Sequence, residues 1–365
     1  MVDIADATSP VVAAIAKVYE DREGAQPPRT YLGASIIGKE CARALWYDFR
    51  WARREKFDGR MLRLFQTGHL AEPRFVQDLR DIGCEVLDCD PATGRQFAHA
   101  DHSGHMGGHM DGKGRYIPGG GQKWHVLEFK THSAKSFKEL LAKGVALAKP
   151  QHYAQMQWYM GKEGLDRALY LAVNKDTEEL YAERISFDFE YFTKLQAKAE
   201  RIIFGTEPPA KIATDIHAFA CKFCVHKDVC HADQVPELSC RTCVHSTAER
   251  EGNGRWSCAI APGGRQSEIP VTFQRTGCGQ HLPLPFLVTY AKPVDAGAGW
   301  IEFQRKDRPE IHFCVVAEGV APDGVRAGTP AYLSRELSAL KDYRALGAPE
   351  LEKYRAQFPG AEIVG

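Results

Sequence analysis

The chain has no excess of charge of either sign: 47 basic and 47 acidic side chains leave a formal net charge of zero. Bulk basicity therefore gives no reason to expect a nucleic-acid partner, and any such contact has to come from a local patch. A run of about 18 apolar residues, the length that spans a bilayer, is also missing, so no membrane helix is expected. Asp3 and Asp6 sit where a secretory signal needs positive charge, and no long apolar stretch follows them. The expected location is the cytoplasm. Internal repeats and low-complexity tracts are absent as well. What is present is an ordinary globular composition, 44% hydrophobic and 26% charged over 365 residues, enough for two or three domains. Disulfides are rare in a reducing compartment, so the eleven cysteines are expected as metal or cluster ligands. Seven of them fall between Cys221 and Cys278.

Residues 9–21 read as a helix and Arg22 to Thr30 as a linker, followed by helical stretches at 35–54 and 61–82. From 84 to 131 short β-type runs and the turn Pro118-Gly119-Gly120-Gly121 predict antiparallel strands. A helix-loop-helix at 134–163, strands at Arg167–Val173 and Glu179–Phe187 and a helix at 189–203 complete an α/β core. Beyond Pro285 the pattern predicts a hairpin, Trp300–Phe303 with Ile311–Val316, and a helix at Ser334–Leu346 closed by Gly347. The expected organisation is an N-terminal helix and linker (1–30), the core (31–235), a four-cysteine module (236–285) and a C-terminal α+β segment without visible chemistry (286–365).

The densest chemical signal is His109-Met110-Asp111-Gly112, then the glycine turn, then Val126-Leu127-Glu128-Phe129-Lys130-Thr131. Strand side chains alternate, so Glu128 and Lys130 share one face while Leu127 and Phe129 take the other. A hairpin partner brings Asp111 beside Glu128. Two carboxylates and a lysine in one cleft suit metal-assisted phosphodiester hydrolysis, with Mg²⁺ or Mn²⁺ on the hard oxygen ligands. The same triplet also fits a surface strand carrying a cross-strand ion pair. Upstream, Glu72 lies on a helix one turn from His69. Downstream, Gln151, Gln155 and Tyr159 form a polar stripe that also fits a solvent-facing helix. The stretch from Lys39 to Arg63, with Arg43, Arg50 and Arg53, is a candidate DNA-facing surface or a solvated helix face.

In chain order, Gly68-x3-Glu72, Asp111, Glu128-x-Lys130 and Gln155-x3-Tyr159 resemble the RecB-like branch of the PD-(D/E)XK nuclease superfamily, over about residues 31–235. That branch includes the CRISPR-associated RecB-type exonucleases, the AddB nuclease domain and the phage YqaJ-type exonucleases. The resemblance implies a restriction-endonuclease-like core, a central mixed sheet flanked by helices. It implies that Glu72, Asp111 and Glu128 bind divalent metal, with His69 as an alternate ligand, and that Lys130 is catalytic. Gln155 and Tyr159 would position DNA and the site, and Arg43 with its basic neighbours would touch phosphates. Cys41 before the core and Cys221-x2-Cys224-x5-Cys230 after it match the pattern of relatives whose four thiolates hold a 4Fe-4S cluster. A four-cysteine zinc site fits the same thiolates.

The second set, Cys240-x2-Cys243-x14-Cys258-x19-Cys278 with His245 and His281 nearby, reads as a structural zinc module. Cys84, Cys89 and Cys314 read as ordinary half-buried thiols. The function these features imply is a metal-dependent DNA exonuclease of phage recombination or DNA repair, working on DNA ends, with a recombination or annealing protein as a candidate partner. A catalytically silent DNA-binding or interaction protein on the same fold is the alternative reading, and a zinc-module DNA-binding protein is a third.

Overall fold

The computed structural model describes residues 9–264, 267–326, 328–358 and 360–364. They divide into two compact units. The first comprises residues up to Lys39, Glu55–His102 and Met106–Ala199; the second comprises Glu40–Arg54, Ser103–His105 and the chain from Glu200 onward.

The first unit is built on a five-stranded mixed sheet. Its strands, in spatial order, are β2 (Glu85–Leu87), β5 (Gly112–Arg115), β6 (His125–His132), β7 (Arg167–Asn174) and β8 (Leu180–Ser186). All neighbours pair antiparallel except β6 and β7, which run parallel with Glu128 opposite Tyr170 and Lys130 opposite Ala172. A smaller sheet joins β1 (Leu32–Gly33), β4 (Met106–His109) and β3 (Ala98–Asp101). The turn between β5 and β6 needs its glycines: Gly119 and Gly121 both take positive φ, and the Gly120 N–H closes onto the Ile117 carbonyl at 2.7 Å.

Helix α1 spans Pro10–Ala25, four residues beyond the predicted end. Helix α3, Gly59–Asp81, starts on Asp58, whose carboxylate accepts the Met61 N–H at 2.7 Å. Its Phe75, Val76 and Leu79 pack with Leu127, Phe129, Leu169, Leu171 and Val173 on one face of the sheet, where the Phe75 and Phe129 rings stack at 5.1 Å. Helices α4 (Ala134–Ala148) and α5 (Pro150–Glu163) pack on β6 and β7. Lys149 alone separates them, with Pro150 preset for the first turn.

Two predicted helices are shorter than their patterns. Residues 35–38 form turns rather than the first part of a helix, and Gly38 lies so close to Gln151 that a Cβ there would stand 2.7 Å from its Cα. Helix α2 is therefore only Ala42–Phe49, capped by the Cys41 sulfur and ended by Trp51 at φ 55. In the second unit α9 covers Ser334–Ala339; the chain then leaves the helix, and Asp342 takes the Arg344 N–H at 3.0 Å in a 3-10 turn before Gly347.

The second unit carries a four-stranded sheet, β12 (Ala291–Gly297), β13 (Trp300–Arg305), β14 (His312–Val316) and β15 (Ala331–Leu333), in that order, so the predicted hairpin is β13–β14. Phe303, Phe313, Val315 and Tyr332 lie at its core. Three strands of two or three residues, β9 (Ser246–Ala248), β10 (Trp256–Cys258) and β11 (Ser267–Glu268), make a separate small sheet. Among the described residues no helix is long and apolar enough to cross a membrane.

Phe75→Ala removes a buried ring from the sheet-facing side of α3, and a loss of about 3–5 kcal/mol is expected in urea unfolding. A change below about 1 kcal/mol is the range of surface substitutions and would place Phe75 outside the core.

A candidate carboxylate active site

The predicted alternation on β6 holds: Leu127 and Phe129 join the α3-facing core, and Glu128, Lys130 and His132 share the opposite face. That face is covered rather than open. Glu128 is fully buried, with the Lys130 ammonium in ion-pair contact with its Oε1. Its Oε2 has no hydrogen-bond partner. The Lys130 ammonium also donates to the Phe129 carbonyl at 3.0 Å. Asp111 is held from the other side, its Oδ2 accepting the Phe129 N–H at 2.7 Å across the hairpin.

Glu72 reaches the same place from α3. Burial raises its carboxyl above the ordinary range and Asp111 raises it further, while His69 and Lys130 oppose them. His69 contacts Glu72 through Nδ1 at 3.3 Å, on the solvent side. Glu128 is pushed up to about 7 by burial, against the pull of Lys130, with Asp111 and Glu72 adding to the rise. Burial draws the Lys130 ammonium down, but Glu128, Asp111 and Glu72 outweigh it and hold the lysine above its usual value. Three carboxylates thus crowd one lysine. A single cation leaves them under-compensated.

A divalent cation meets that deficit in donor type, because hard carboxylate oxygens are its normal ligands. Among the described residues, however, no group of three His, Cys, Asp or Glu side chains is closed tightly enough to hold a metal ion as it stands. Here Lys130 rests against the Glu128 oxygen.

Gln155 and Tyr159 do not form a solvent face. Every residue from Ala154 to Met160 is buried, and the Tyr159 hydroxyl donates to the His109 carbonyl at 2.6 Å. Tyr159, itself linked to Gln155, thereby holds the strand that leads into Asp111. Arg43 is also engaged within its own unit, donating to the Pro209 carbonyl at 2.9 Å and to the Tyr47 hydroxyl at 3.0 Å. Arg50 is buried, donating to the Gly205 carbonyl at 2.8 Å. These arginines serve the fold of the second unit.

A neighbouring polar group escaped the motif search. His132 Nε2 and His152 Nδ1 flank the buried Tyr170 hydroxyl at 2.8 and 2.9 Å, and Ser136 Oγ lies 3.1 Å from His132 Nδ1. Burial keeps both imidazoles neutral, down to about 4 for His132 and about 3 for His152, with Lys130 and Lys149 adding to the effect. The sequence did hold a signal: His132 is two residues beyond Lys130 on the same strand face, and His152 is one helical turn before Gln155.

In the second unit, Cys41, Cys221, Cys224 and Cys230 line one cavity with Arg43, Tyr47, His226 and His231. Cys41 accepts the Ala44 N–H at 3.4 Å as the cap of α2, and Cys221 Sγ lies 3.6 Å from His231 Nε2. The four thiols that the spacing singled out therefore meet, although one of them precedes the others by roughly 180 residues. Cys84 and Cys314 are buried and Cys89 exposed.

No family model matches the sequence, and no curated protein is similar to it. Among solved structures, that of SSO0001 overlaps 61% of this chain and 97% of its own, with 14% identity and a TM-score of 0.38. The alkaline exonuclease LHK-Exo from Laribacter hongkongensis overlaps 51% of this chain and 90% of its own, with 15% identity and a TM-score of 0.36. Its complex with dAMP gives 52%, 90%, 14% and 0.34. These are partial backbone overlaps.

The raised Glu128 carboxyl fixes the sign of a pH effect. It binds its proton more tightly folded than unfolded, so its stabilising term is complete below the ordinary carboxyl range and is lost as pH rises through about 7. In chelator, the wild type is expected to lose more stability between pH 5 and pH 8 than Glu128→Gln does. Equal losses in paired urea titrations would mean that Glu128 titrates normally.

Proposed function

We infer that this protein is a divalent-metal-dependent nuclease that hydrolyses DNA phosphodiester bonds. One observation carries the reading: Glu72, Asp111 and Glu128 gather around Lys130, and the fully buried Glu128 carboxylate has the Lys130 ammonium on Oε1 and no partner on Oε2. Its support from sequence is the motif order Gly68-x3-Glu72, Asp111, Glu128-x-Lys130, Gln155-x3-Tyr159. Glu72, Asp111 and Glu128 would hold Mg²⁺ or Mn²⁺, with His69 as the exposed alternate beside Glu72. The ion supplies Lewis-acid polarisation of a phosphoryl oxygen and a hydroxide near neutral pH.

The chain's own groups supply the rest. The Phe129 N–H keeps Asp111 in register with Glu128. Lys130, held above its ordinary value, stays an ammonium through the working pH range and stabilises negative charge on the phosphate. Tyr159 and Gln155 act by position, through the His109 carbonyl. Exonucleolytic action on DNA ends, in recombination or repair, follows the motif resemblance. So does a 4Fe-4S cluster on Cys41, Cys221, Cys224 and Cys230, whose role would be to tie two distant stretches of chain.

Labelled linear DNA incubated with Mn²⁺ or Mg²⁺ tests the activity. Cleavage is expected from the wild type, with a loss of at least about 100-fold in Asp111→Ala, Glu128→Ala and Lys130→Ala at unchanged circular dichroism. Full activity in Glu128→Ala, or cutting that survives chelation and dialysis, contradicts the site. DNA that is bound and left intact by the wild type identifies the silent binding protein instead. For the cluster, protein prepared without oxygen is expected to be brown with about four irons per chain, and Cys221→Ser to bleach it. Zinc in place of iron at these cysteines rules the cluster out and leaves the carboxylate site unaffected.

A further inference from the structure

The second cysteine constellation plays no part in the proposed hydrolysis, and its surroundings point to an occupant. Cys240 opens a single 3-10 turn, and the Cys243 N–H donates back to the Cys240 carbonyl at 3.0 Å. The main-chain N–H groups of His245 and Leu282 donate to the Cys243 sulfur. Cys258 ends β10, paired with Ser246 on β9 and Ser267 on β11, and Cys278 lies in the loop after a short helix, α8 (Val271–Gln274). All four cysteines line one cavity, together with His245 and His281.

The segment around these cysteines has little core of its own. Among the described residues from 236 to 285 the buried apolar side chains are Pro236, Cys243, Trp256, Ile269, Leu282 and Pro283, and its strands are two or three residues long. Strands this short contribute little stability by themselves, so the segment depends on contacts and cross-links beyond its own ladder.

A cross-link here would have a mechanical purpose. Arg241, between the first two cysteines, is fully buried with its guanidinium 3.7 Å from the Trp51 ring centre and 4.8 Å from that of Trp256. It donates to the Phe49 carbonyl at 3.0 Å and to Gln274 Oε1 at 2.9 Å, while the Ser239 hydroxyl donates to the Arg50 carbonyl at 3.3 Å. Ser239 and Arg241 thus grip the C-terminal end of α2, the helix whose other end is capped by Cys41.

We propose that Cys240, Cys243, Cys258 and Cys278 bind one structural zinc ion, distinct from whatever the Cys41 set holds, and that it fixes the Arg241 loop on the end of α2. Two disulfides would use the same sulfurs pairwise; a tetrahedral cation uses all four at one centre. The proposal does not depend on the nuclease reading, since metal content and stability are measured without DNA.

The test is metal analysis of the full-length protein, purified under reducing conditions from medium containing both zinc and iron. About one tightly held zinc per chain is expected, falling below about a tenth in Cys240→Ser and in Cys258→Ser, while Cys221→Ser keeps it. Should the serine variants fail to fold, wild-type protein titrated with a mercurial is expected to release one equivalent of zinc to a chromogenic chelator, in step with four thiols. Arg241→Met is expected to keep the zinc and lower the Tm, because it removes the grip and not the ligands. Iron at these four cysteines, disulfides between them, or four free thiols with no zinc would each overturn the site; an unchanged Tm in Arg241→Met would overturn the anchoring.

Discussion

Burial of Glu128 beside Lys130 is the constraint around which the first unit is arranged. A fully buried carboxylate is expensive inside a protein, and one ammonium is its close counter-charge. Such a pair persists only when surrounding structure holds it. The holding is done by strand pairing on both sides of β6, by Leu127 and Phe129 anchored against α3, and by α4 and α5 over the polar face. Asp111 and Glu72 then add negative charge where the dielectric is already low. Stability is given up at this point of the fold, and a site that recruits a cation is the kind of function that makes such a cost intelligible.

The apolar and polar sides of the same strand do different work. Phe129 illustrates both: its ring stacks on Phe75 in the core, while its N–H holds Asp111 and its carbonyl receives Lys130. Tyr159 is similar in kind, a buried aromatic ring whose hydroxyl sets the main chain two residues before Asp111. The neutral His132–Tyr170–His152 group lies next along this face, so the site is backed by polar contacts rather than by packed hydrocarbon.

In the second unit, short elements are joined through side chains more than through backbone ladders. Helix α2 has eight residues, yet Asp48, Arg50 and Trp51 at its end tie it to three other stretches of sequence: His226 meets Asp48 at 2.7 Å, Arg50 reaches Gly205, and Arg241 lies over Trp51. Both cysteine sets thus border one helix. Little local propensity holds such an arrangement, so it depends on contacts between residues far apart in sequence.

The amino-acid order by itself determined the elements whose signals are local. The alternation from Val126 to Lys130, the glycine turn before it, the helix pair at 134–163 and the β13–β14 hairpin all follow from period and turn chemistry. It also singled out the four cysteines Cys41, Cys221, Cys224 and Cys230 that line one cavity. Tertiary structure decided which faces are covered. The Gln155–Tyr159 stripe reads as solvent-facing or DNA-facing, and Arg43 as a phosphate contact, because polarity along one helix says nothing of what packs on it. The helix expected from residue 35 starts only after Cys41, and the close approach of Gly38 to α5 in the turn before it has no signature in local propensity. The Glu128 shift is likewise invisible in the triplet Glu128-Phe129-Lys130, since it arises from burial and from Asp111 and Glu72, 17 and 56 residues earlier in the chain. Charge and type are written in the sequence; the dielectric around a charge is set only when distant segments close over it.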